Sequence, residues 1–178
     1  MTGGVPCEHI TSLMTWIAPA ARPERDRLVA SIKRLAAHHG ATTYAPHVTL
    51  VPNIESDEAG AEEALASAVT ATTPIDLTFA SVGHEQTYFR ALYLVPQPSE
   101  RLVALHHVIR HLWSFGPMQF QPHLSLLYSD VGEQHKGPLI DETGAWLPLT
   151  VRFDAIELWA ATARVSDWHR VARVPLTE

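Results

Sequence analysis

Apolar side chains recur along the chain at the two spacings that distinguish helices from strands. Between Pro23 and Gly40 they fall every three or four positions, with acidic residues in the first turn, which predicts an amphipathic helix. Alternation of apolar and polar residues over 75–79 predicts a strand instead. The same patterns predict further helices over 57–70 and from Ser99 to Leu112. Further strands are predicted over 10–18, 88–95, 148–159 and 168–174 and around His47 and His123, with a polar loop following the His123 strand to about Gly144.

Strands outnumber helices in this pattern, and the two kinds of element do not alternate regularly. A doubly wound parallel sheet needs a helix between successive strands, so the pattern favours an α+β fold with a largely antiparallel sheet. The chain has 178 residues, which is long enough for a domain with a substantial core. We therefore expect a single domain over residues 1–178.

Two short strings, Pro-His-Val-Thr-Leu at 46–50 and Pro-His-Leu-Ser-Leu at 122–126, share one pattern. Side chains alternate faces along a strand, so the histidine and the hydroxyl of each string share a face while the apolar residues occupy the other. Imidazole serves readily as an acid or a base near neutral pH, and a hydroxyl beside it can hold an anionic oxygen. Two such strands facing each other would form an acid/base site of phosphate size. The four side chains concerned are His47, Thr49, His123 and Ser125.

The surroundings of the two strings are also alike, which indicates a duplicated unit. Arg-Leu-Val-Ala occurs at 27–30 and again at 101–104, and its arginine precedes the motif histidine by 20 residues in the first case and 22 in the second. An apolar run ended by proline precedes each helix. A strand, a helix and a histidine strand therefore occur twice, roughly over 10–54 and 88–128.

Composition narrows the range of partners and compartments. The formal net charge is −6 and no run of lysine or arginine occurs, whereas binding long nucleic acids requires many cationic contacts to phosphate. A small phosphorylated ligand is the better expectation. No segment is long and apolar enough to span a membrane and no secretion signal is present, so we expect a cytoplasmic protein without a membrane partner. Cys7 is the only cysteine, which excludes an intrachain disulfide and a thiolate metal site.

Other chemistries are supported less well by the sequence. His107 and His111 have the helical spacing of a zinc-ligand pair, but no third ligand is placed and they fall outside the apolar stripe, so a solvated helix face is the simpler interpretation. No nucleophile elbow or glycine-rich nucleotide loop is present. The alternative for the two strings is that their histidines are merely polar positions on half-exposed strands. Duplication of the whole context disfavours that alternative.

At these residues the chain resembles the 2H phosphoesterase superfamily, which is defined by two His-apolar-Thr/Ser-apolar motifs. It looks most like the small plant- and yeast-type cyclic nucleotide phosphodiesterases, and both motifs match without departure. The resemblance spans nearly the whole chain, from the Trp16 strand to the Trp168 segment. It implies two pseudo-symmetric lobes, each an antiparallel sheet backed by helices, with a central cleft between them.

The resemblance also implies roles for particular residues. His47 and His123 would be catalytic, and Thr49 and Ser125 would contact the phosphate. Tyr128, five residues after the second histidine, matches a position where such enzymes place a phosphate-contacting tyrosine. Trp16 and Phe89 look similar to aromatics that line the base or ribose side of the cleft.

The implied reaction is hydrolysis of a 2′,3′-cyclic nucleotide, or of ADP-ribose 1″,2″-cyclic phosphate, to a monoester that for a nucleotide lies at 2′. We expect His123 to act as base and His47 as acid, although the near-symmetry of the motifs leaves the assignment open. No metal and no cofactor is expected, and we expect a monomer. Two alternatives remain: an RNA-directed member of the superfamily, either 2′-5′ ligase-like or acting on RNA ends, and a module that binds phosphate without turnover.

Overall fold

Seven strands form one antiparallel sheet within residues 12–70 and 72–177, the part of the chain that this computed structural model describes. Four helices accompany the sheet in the same residues. The strands are β1 (Ser12–Pro19), β2 (Val48–Ile54), β3 (Ile75–Gly83), β4 (Leu92–Pro96), β5 (Leu124–Leu127), β6 (Leu149–Ala161) and β7 (His169–Pro175). The helices are α1 (Pro23–His39), α2 (Glu58–Ala68), α3 (Glu100–Leu112) and α4 (Lys136–Gly144). The predicted α+β fold with an antiparallel sheet is confirmed.

The long strand β6 joins two groups of strands into this sheet. The strand order is β2-β1-β6-β3-β4-β5, and β7 also pairs with β6. Residues 149–153 of β6 pair with β3, whereas residues 155–160 pair with β7 and residues 153–161 with β1. The two halves expected from the duplicated sequence are therefore not separate sheets, because they share β6. Each predicted motif strand lies at one end of the strand order.

Local sequence signals account for the helix ends. Proline occupies the first turn of α1, and Gly40 ends the helix with φ of 62°, a left-handed conformation that glycine adopts without strain. Ser99 caps α3 by accepting a hydrogen bond from the Leu102 amide at 3.3 Å. Asp57 caps α2 in the same way, accepting from the Gly60 amide at 2.8 Å. The apolar stripes of these helices are buried in the shared core, as the spacing predicted.

Two predicted segments differ from the structure. Tyr88–Arg90 form a 3-10 turn and the strand begins only at Leu92, so the predicted strand over 88–95 was wrong at its start. The segment predicted as a polar loop contains α4. Lys136 explains this helix: its side chain is buried, and its Nζ donates to the Glu85 carbonyl oxygen at 2.6 Å. That contact is between residues distant in sequence, and glycine and proline in the first turn of α4 hide the helical pattern.

Within the described residues, none of the helices combines the length and the apolar character that crossing a membrane requires.

The core residues lie between the sheet and the helices, and the motif strands contribute to this core.

Candidate active site

The two motif histidines line one cleft although their strands lie at opposite ends of the strand order. His47 immediately precedes β2 and His123 immediately precedes β5. Both contribute to a cavity of about 520 Å³. The sheet must therefore curve until its first and last strands face each other. The lining residues are Ser12, Met14, His47, Thr49, Pro52, Asn53, Phe89, His123, Tyr128, Ala161, Thr162, Ala163 and Trp168.

The predicted alternation is confirmed along β2, whereas in β5 only the apolar positions follow it. Val48 and Leu50 of β2 and Leu124 and Leu126 of β5 are fully buried in the core. Thr49 lies between the first pair, is half-buried and lines the cleft. The core residues hold each strand, and in β2 the alternate position presents the Thr49 hydroxyl to the cleft.

His47 is held from two sides. A carbonyl oxygen can only accept, so the 2.7 Å contact between Nδ1 and the Ala45 carbonyl oxygen means that Nδ1 carries the proton and donates it. The ring stacks on Trp16 with centroids 3.6 Å apart and planes 8° apart. These contacts leave Nε2, whose nearest polar neighbour is the Tyr128 hydroxyl at 3.5 Å.

Burial lowers the pKa of His47 to about 4, because the charged imidazolium loses its hydration. The Ala45 hydrogen bond opposes this shift, the charge of His123 adds to it, and Glu157 opposes it. His47 is therefore neutral in the free protein at pH 7, with a lone pair on Nε2.

His123 repeats the arrangement on the other side of the cleft. Its Nδ1 donates to the Gln121 carbonyl oxygen at 2.9 Å, again two residues earlier in the chain. Burial lowers the pKa of His123 as well, but this ring is more exposed than His47. The Gln121 bond opposes the shift, Arg90 lowers the pKa further, and Glu85 raises it. Both rings thus keep Nε2 free of backbone contacts.

A network that the sequence did not predict supports His123. The Tyr93 ring packs edge-on against the imidazole, with centroids 5.2 Å apart. Arg90 donates to the Tyr93 hydroxyl and to the Gln121 side-chain oxygen, both at 3.2 Å, and pairs with Glu85 at 2.8 Å. Arg90 thereby contacts both residues that neighbour His123: the Tyr93 hydroxyl, and the side chain of Gln121, whose backbone carbonyl accepts from the imidazole.

Gly83 makes room for this network. A Cβ atom at this position would collide with the Tyr93 ring, so a larger residue there would displace the ring that packs against His123. No local pattern signals this requirement, because the two residues meet only when β3 pairs with β4.

Ser125 departs from the symmetry of the motifs. Its side chain is buried, and its hydroxyl donates to the Phe89 carbonyl oxygen at 2.9 Å. Burial raises the pKa of the neighbouring Tyr128 phenol, and the Ser125 side chain opposes this shift. Ser125 does not line the cavity, whereas Thr49 does. The hydroxyl that was predicted to contact phosphate therefore binds the 3-10 turn beside the cleft instead.

The three aromatic residues that the resemblance singled out do not all line the cleft. Phe89 is 48% exposed at the cleft and stacks with Trp168, with centroids 6.0 Å apart and planes 20° apart. Tyr128 is buried, lines the cleft and stacks on Tyr44 at 3.8 Å. Phe89 and Tyr128 thus both line the cleft.

Trp16 does not. It is 1% exposed, is sandwiched between His47 and Trp159, and does not line the cleft. The prediction of a direct substrate contact at Trp16 is therefore replaced by a supporting role behind His47. Its strand β1 is paired on both sides, with β2 and β6.

Two of the lining residues that were not predicted from the sequence have notable local structure. Trp168 was noted only as the end of the resemblance, yet it forms the aromatic pair with Phe89. Asn53 adopts a left-handed φ of 56° near a register shift between β1 and β2. Bulges and their neighbours often redirect side chains toward sites. The Pro52-Asn53 dipeptide is a turn signal that could have drawn attention to this position.

Other features of the sequence fall away from the cleft. His107 and His111 are exposed on α3. Within 12–70 and 72–177, no group of three or more His, Cys, Asp or Glu residues could hold a metal ion. Cys7 lies outside the described residues. A larger cavity of about 820 Å³ lies between β4 and α3, but neither motif histidine lines it.

The 2H phosphoesterases have an α+β fold whose antiparallel sheet brings two His-apolar-Thr/Ser motifs face to face, and this chain has the same arrangement. A family model described as the 2′-5′ RNA ligase superfamily matches residues 9–164, and the chain belongs to this superfamily of phosphoesterases and ligases. No curated protein sequence matches the chain.

Solved structures share the fold at low identity. The crystal structure of E. coli LigT in its apo form matches with a TM-score of 0.65 at 19% identity, covering 96% of this chain and 100% of that one. TT0787 of Thermus thermophilus matches with a TM-score of 0.63 at 12% identity, covering 93% and 97% of the two chains. A crystal structure described as a phosphoesterase matches with a TM-score of 0.61 at 18% identity, covering 94% and 99%.

Proposed function

We propose that this protein hydrolyses five-membered cyclic phosphates, as the small plant- and yeast-type cyclic phosphodiesterases do. The expected substrates are 2′,3′-cyclic nucleotides and ADP-ribose 1″,2″-cyclic phosphate, and a nucleotide would be left with its monoester at 2′. One observation carries the proposal: both imidazoles donate Nδ1–H to a backbone carbonyl two residues earlier, which leaves both Nε2 atoms for one cleft.

The unequal burial of the two histidines favours a division of roles. A general base must start neutral, and His47 has its pKa lowered to about 4 by burial. A general acid must start protonated, which the more exposed His123 achieves more easily. We therefore assign His47 as base and His123 as acid, the reverse of the expectation from sequence. The negative charge of a bound cyclic phosphate raises the pKa of both rings.

The reaction then proceeds in line at phosphorus. His47 Nε2 takes a proton from water as the new phosphorus–oxygen bond forms. The bond to the 3′ oxygen breaks, and His123 gives its proton to that oxygen. A proton exchange with solvent restores both rings. General acid and base catalysis contribute on the order of 10² to 10⁴ each.

Two hydroxyls are available to stabilise the charge that builds on the non-bridging oxygens. Thr49 lines the cleft, and so does Tyr128, whose pKa burial raises so that it stays a donor. Ser125 already donates to Phe89. Its contribution is to hold the 3-10 turn that carries Phe89.

The aromatic pair provides the surface for the base or ribose. Phe89 and Trp168 present apolar faces at the cleft, and stacking on such faces tolerates any base. This arrangement supports a nucleoside cyclic phosphate better than a cyclic phosphate without a ring system.

The superfamily also includes ligases, so an RNA-directed reaction is the second candidate. Crystal structures of E. coli LigT complexed with phosphate and with 3′-AMP have been solved, and they share this fold. The net charge of −6 argues against a long RNA here.

The test is hydrolysis of 2′,3′-cyclic AMP by the purified protein, with 2′-AMP and 3′-AMP separated chromatographically. We expect 2′-AMP, and we expect His47→Gln and His123→Gln each to lower kcat by about 10²-fold or more, because each removes a proton-transfer group. His107→Gln, an exposed histidine of α3, is the matched control and should retain the wild-type rate.

Absence of turnover by the wild-type protein, or near-normal turnover by either motif variant, would overturn the proposal. Cleavage or joining of 2′-5′-linked oligonucleotides without cyclic AMP hydrolysis would favour the RNA-directed candidate. Tight binding of cyclic AMP without turnover would indicate a binding module.

A further inference from the structure

A second hollow adjoins the cleft, because Phe89 and Ala163 line both. It has a volume of about 540 Å³, and its walls include Thr42, Tyr88 and Arg164. Phe89 lines both this hollow and the catalytic cleft. A ligand with its ring system against Phe89 and its cyclic phosphate at the histidines therefore has a neighbouring space for whatever its ribose carries.

Arg164 gives this hollow an unusual charge. Among the described residues only three cationic side chains make no hydrogen bond, ion pair or ring contact: Arg22, Lys33 and Arg164. Arg164 alone of these three lines either cavity. The nearest carboxylate along the chain, Asp167, accepts a hydrogen bond from Ser166 and makes no ion pair with Arg164. A guanidinium without a partner, beside the cyclic-phosphate site of the proposed function, is chemically suited to bind an anion.

The loop that carries Arg164 is held to the catalytic cleft through Thr162. The Thr162 hydroxyl accepts from the Arg164 amide at 3.2 Å and donates to its carbonyl oxygen at 3.1 Å. The carbonyl oxygen of Thr162 accepts from Trp168 Nε1 at 2.9 Å. One residue thus fixes the backbone of Arg164 relative to the indole that stacks on Phe89. The loop presents Trp168 to the cleft and Arg164 to the second hollow.

We propose that Arg164 and the hollow beside Phe89 bind a second phosphate, carried on the 5′ oxygen of the ribose whose cyclic phosphate is opened. This inference builds on the proposed function and names its substrate class more closely. Preferred substrates would be 5′-phosphorylated cyclic phosphates, with the guanidinium donating to the second phosphate while the aromatic pair holds the ring system.

The test compares adenosine 2′,3′-cyclic phosphate with and without a 5′-phosphate. A charge-assisted hydrogen bond at a partly exposed site corresponds to roughly tenfold in affinity. We therefore expect kcat/KM for the 5′-phosphorylated compound to be about tenfold higher, with an advantage that shrinks as salt rises. Arg164→Gln should remove the advantage of the 5′-phosphorylated compound, so that the two kcat/KM values become equal. Arg22→Gln removes an equally unpaired arginine outside both cavities and should leave the ratio and the basal rate unchanged.

The outcomes separate this inference from the proposed function. Equal kcat/KM values for the two compounds in the wild-type protein, or an undiminished ratio in Arg164→Gln, would overturn the second-phosphate site while the hydrolytic function stands. If neither compound is hydrolysed, the proposed function fails. The site is then judged by calorimetric affinities for the same two compounds, where loss of a tenfold difference in Arg164→Gln supports it and equal affinities reject it.

Further arms distinguish the sources of the second phosphate. ADP-ribose 1″,2″-cyclic phosphate carries a diphosphate at the corresponding oxygen, and a dinucleotide ending in a cyclic phosphate carries a phosphodiester there. An Arg164-dependent preference confined to one of the three compounds identifies which form the hollow accepts. If the wild-type protein shows no Arg164-dependent preference for any of the three compounds, the site is rejected.

Discussion

Acid pH should destabilise this protein through His47. The pKa of a histidine in an unfolded chain is about 6.5, whereas burial lowers that of His47 to about 4 in the folded protein. Between these values the unfolded chain binds the proton and the folded protein does not, so the free energy of unfolding falls as the pH falls. The stabilisation is fully present above about pH 6.5 and is lost as the pH approaches about 4.

The pKa values imply the size of this effect. The difference corresponds to about 3 kcal/mol in full, of which about 2 kcal/mol is lost between pH 7 and pH 5. This is a substantial part of the roughly 5 to 15 kcal/mol that stabilises a typical domain. Urea unfolding at the two pH values measures it directly.

A variant isolates the contribution of His47 from those of other histidines. Burial also lowers the pKa of His39, His106 and His123, and these residues add to the acid sensitivity of every variant. His47→Asn should therefore lose about 2 kcal/mol less than the wild-type protein between pH 7 and pH 5. His107→Gln should lose as much as the wild type. Identical losses in wild type and His47→Asn would refute the assignment of a buried, neutral His47.

Two further outcomes follow from the site. EDTA should leave turnover unchanged, because the proposed mechanism uses two histidines and two hydroxyls and no metal, and restoration of a chelated enzyme by zinc or magnesium would contradict this mechanism. Thr49→Ala should lower kcat/KM with little change in Tm, since Thr49 lines the cleft. Ser125→Ala should lower kcat/KM and also destabilise by about 1 to 3 kcal/mol, because the Phe89 carbonyl loses its buried donor; thermal unfolding separates the two cases, and equal Tm values for both variants would count against the described role of Ser125.

The parts of the fold that could be predicted from sequence depend on local signals. The cap at Ser99 and the left-handed glycine at Gly40 mark helix ends within a few residues of the chain. Alternation at 46–50 predicted which side chains face the cleft and which face the core, whereas at 122–126 the buried Ser125 departs from it. Duplication of these strings indicated a paired site before any tertiary contact was known.

The remaining features depend on contacts between distant residues. Nothing in the sequence around Trp16 indicates that its ring contacts an imidazole and not a substrate. The donation from Ser125 to Phe89 joins residues 36 positions apart. The two motifs look equivalent in sequence, but His47 is buried and His123 is only partly buried, because different elements cover them. Lys136 likewise depends on Glu85 for its place, and so does the start of α4.

The position of β2 and β5 at the two ends of the strand order has a consequence for folding. The two histidines of the proposed site face one cleft only when every intervening strand is in register, because β1, β6, β3 and β4 connect the two motifs. A partially folded intermediate that kept either half would be silent. Turnover in the proposed reaction therefore requires the whole sheet to be folded. A screen for that activity selects at the same time for variants in which every strand of the sheet is formed.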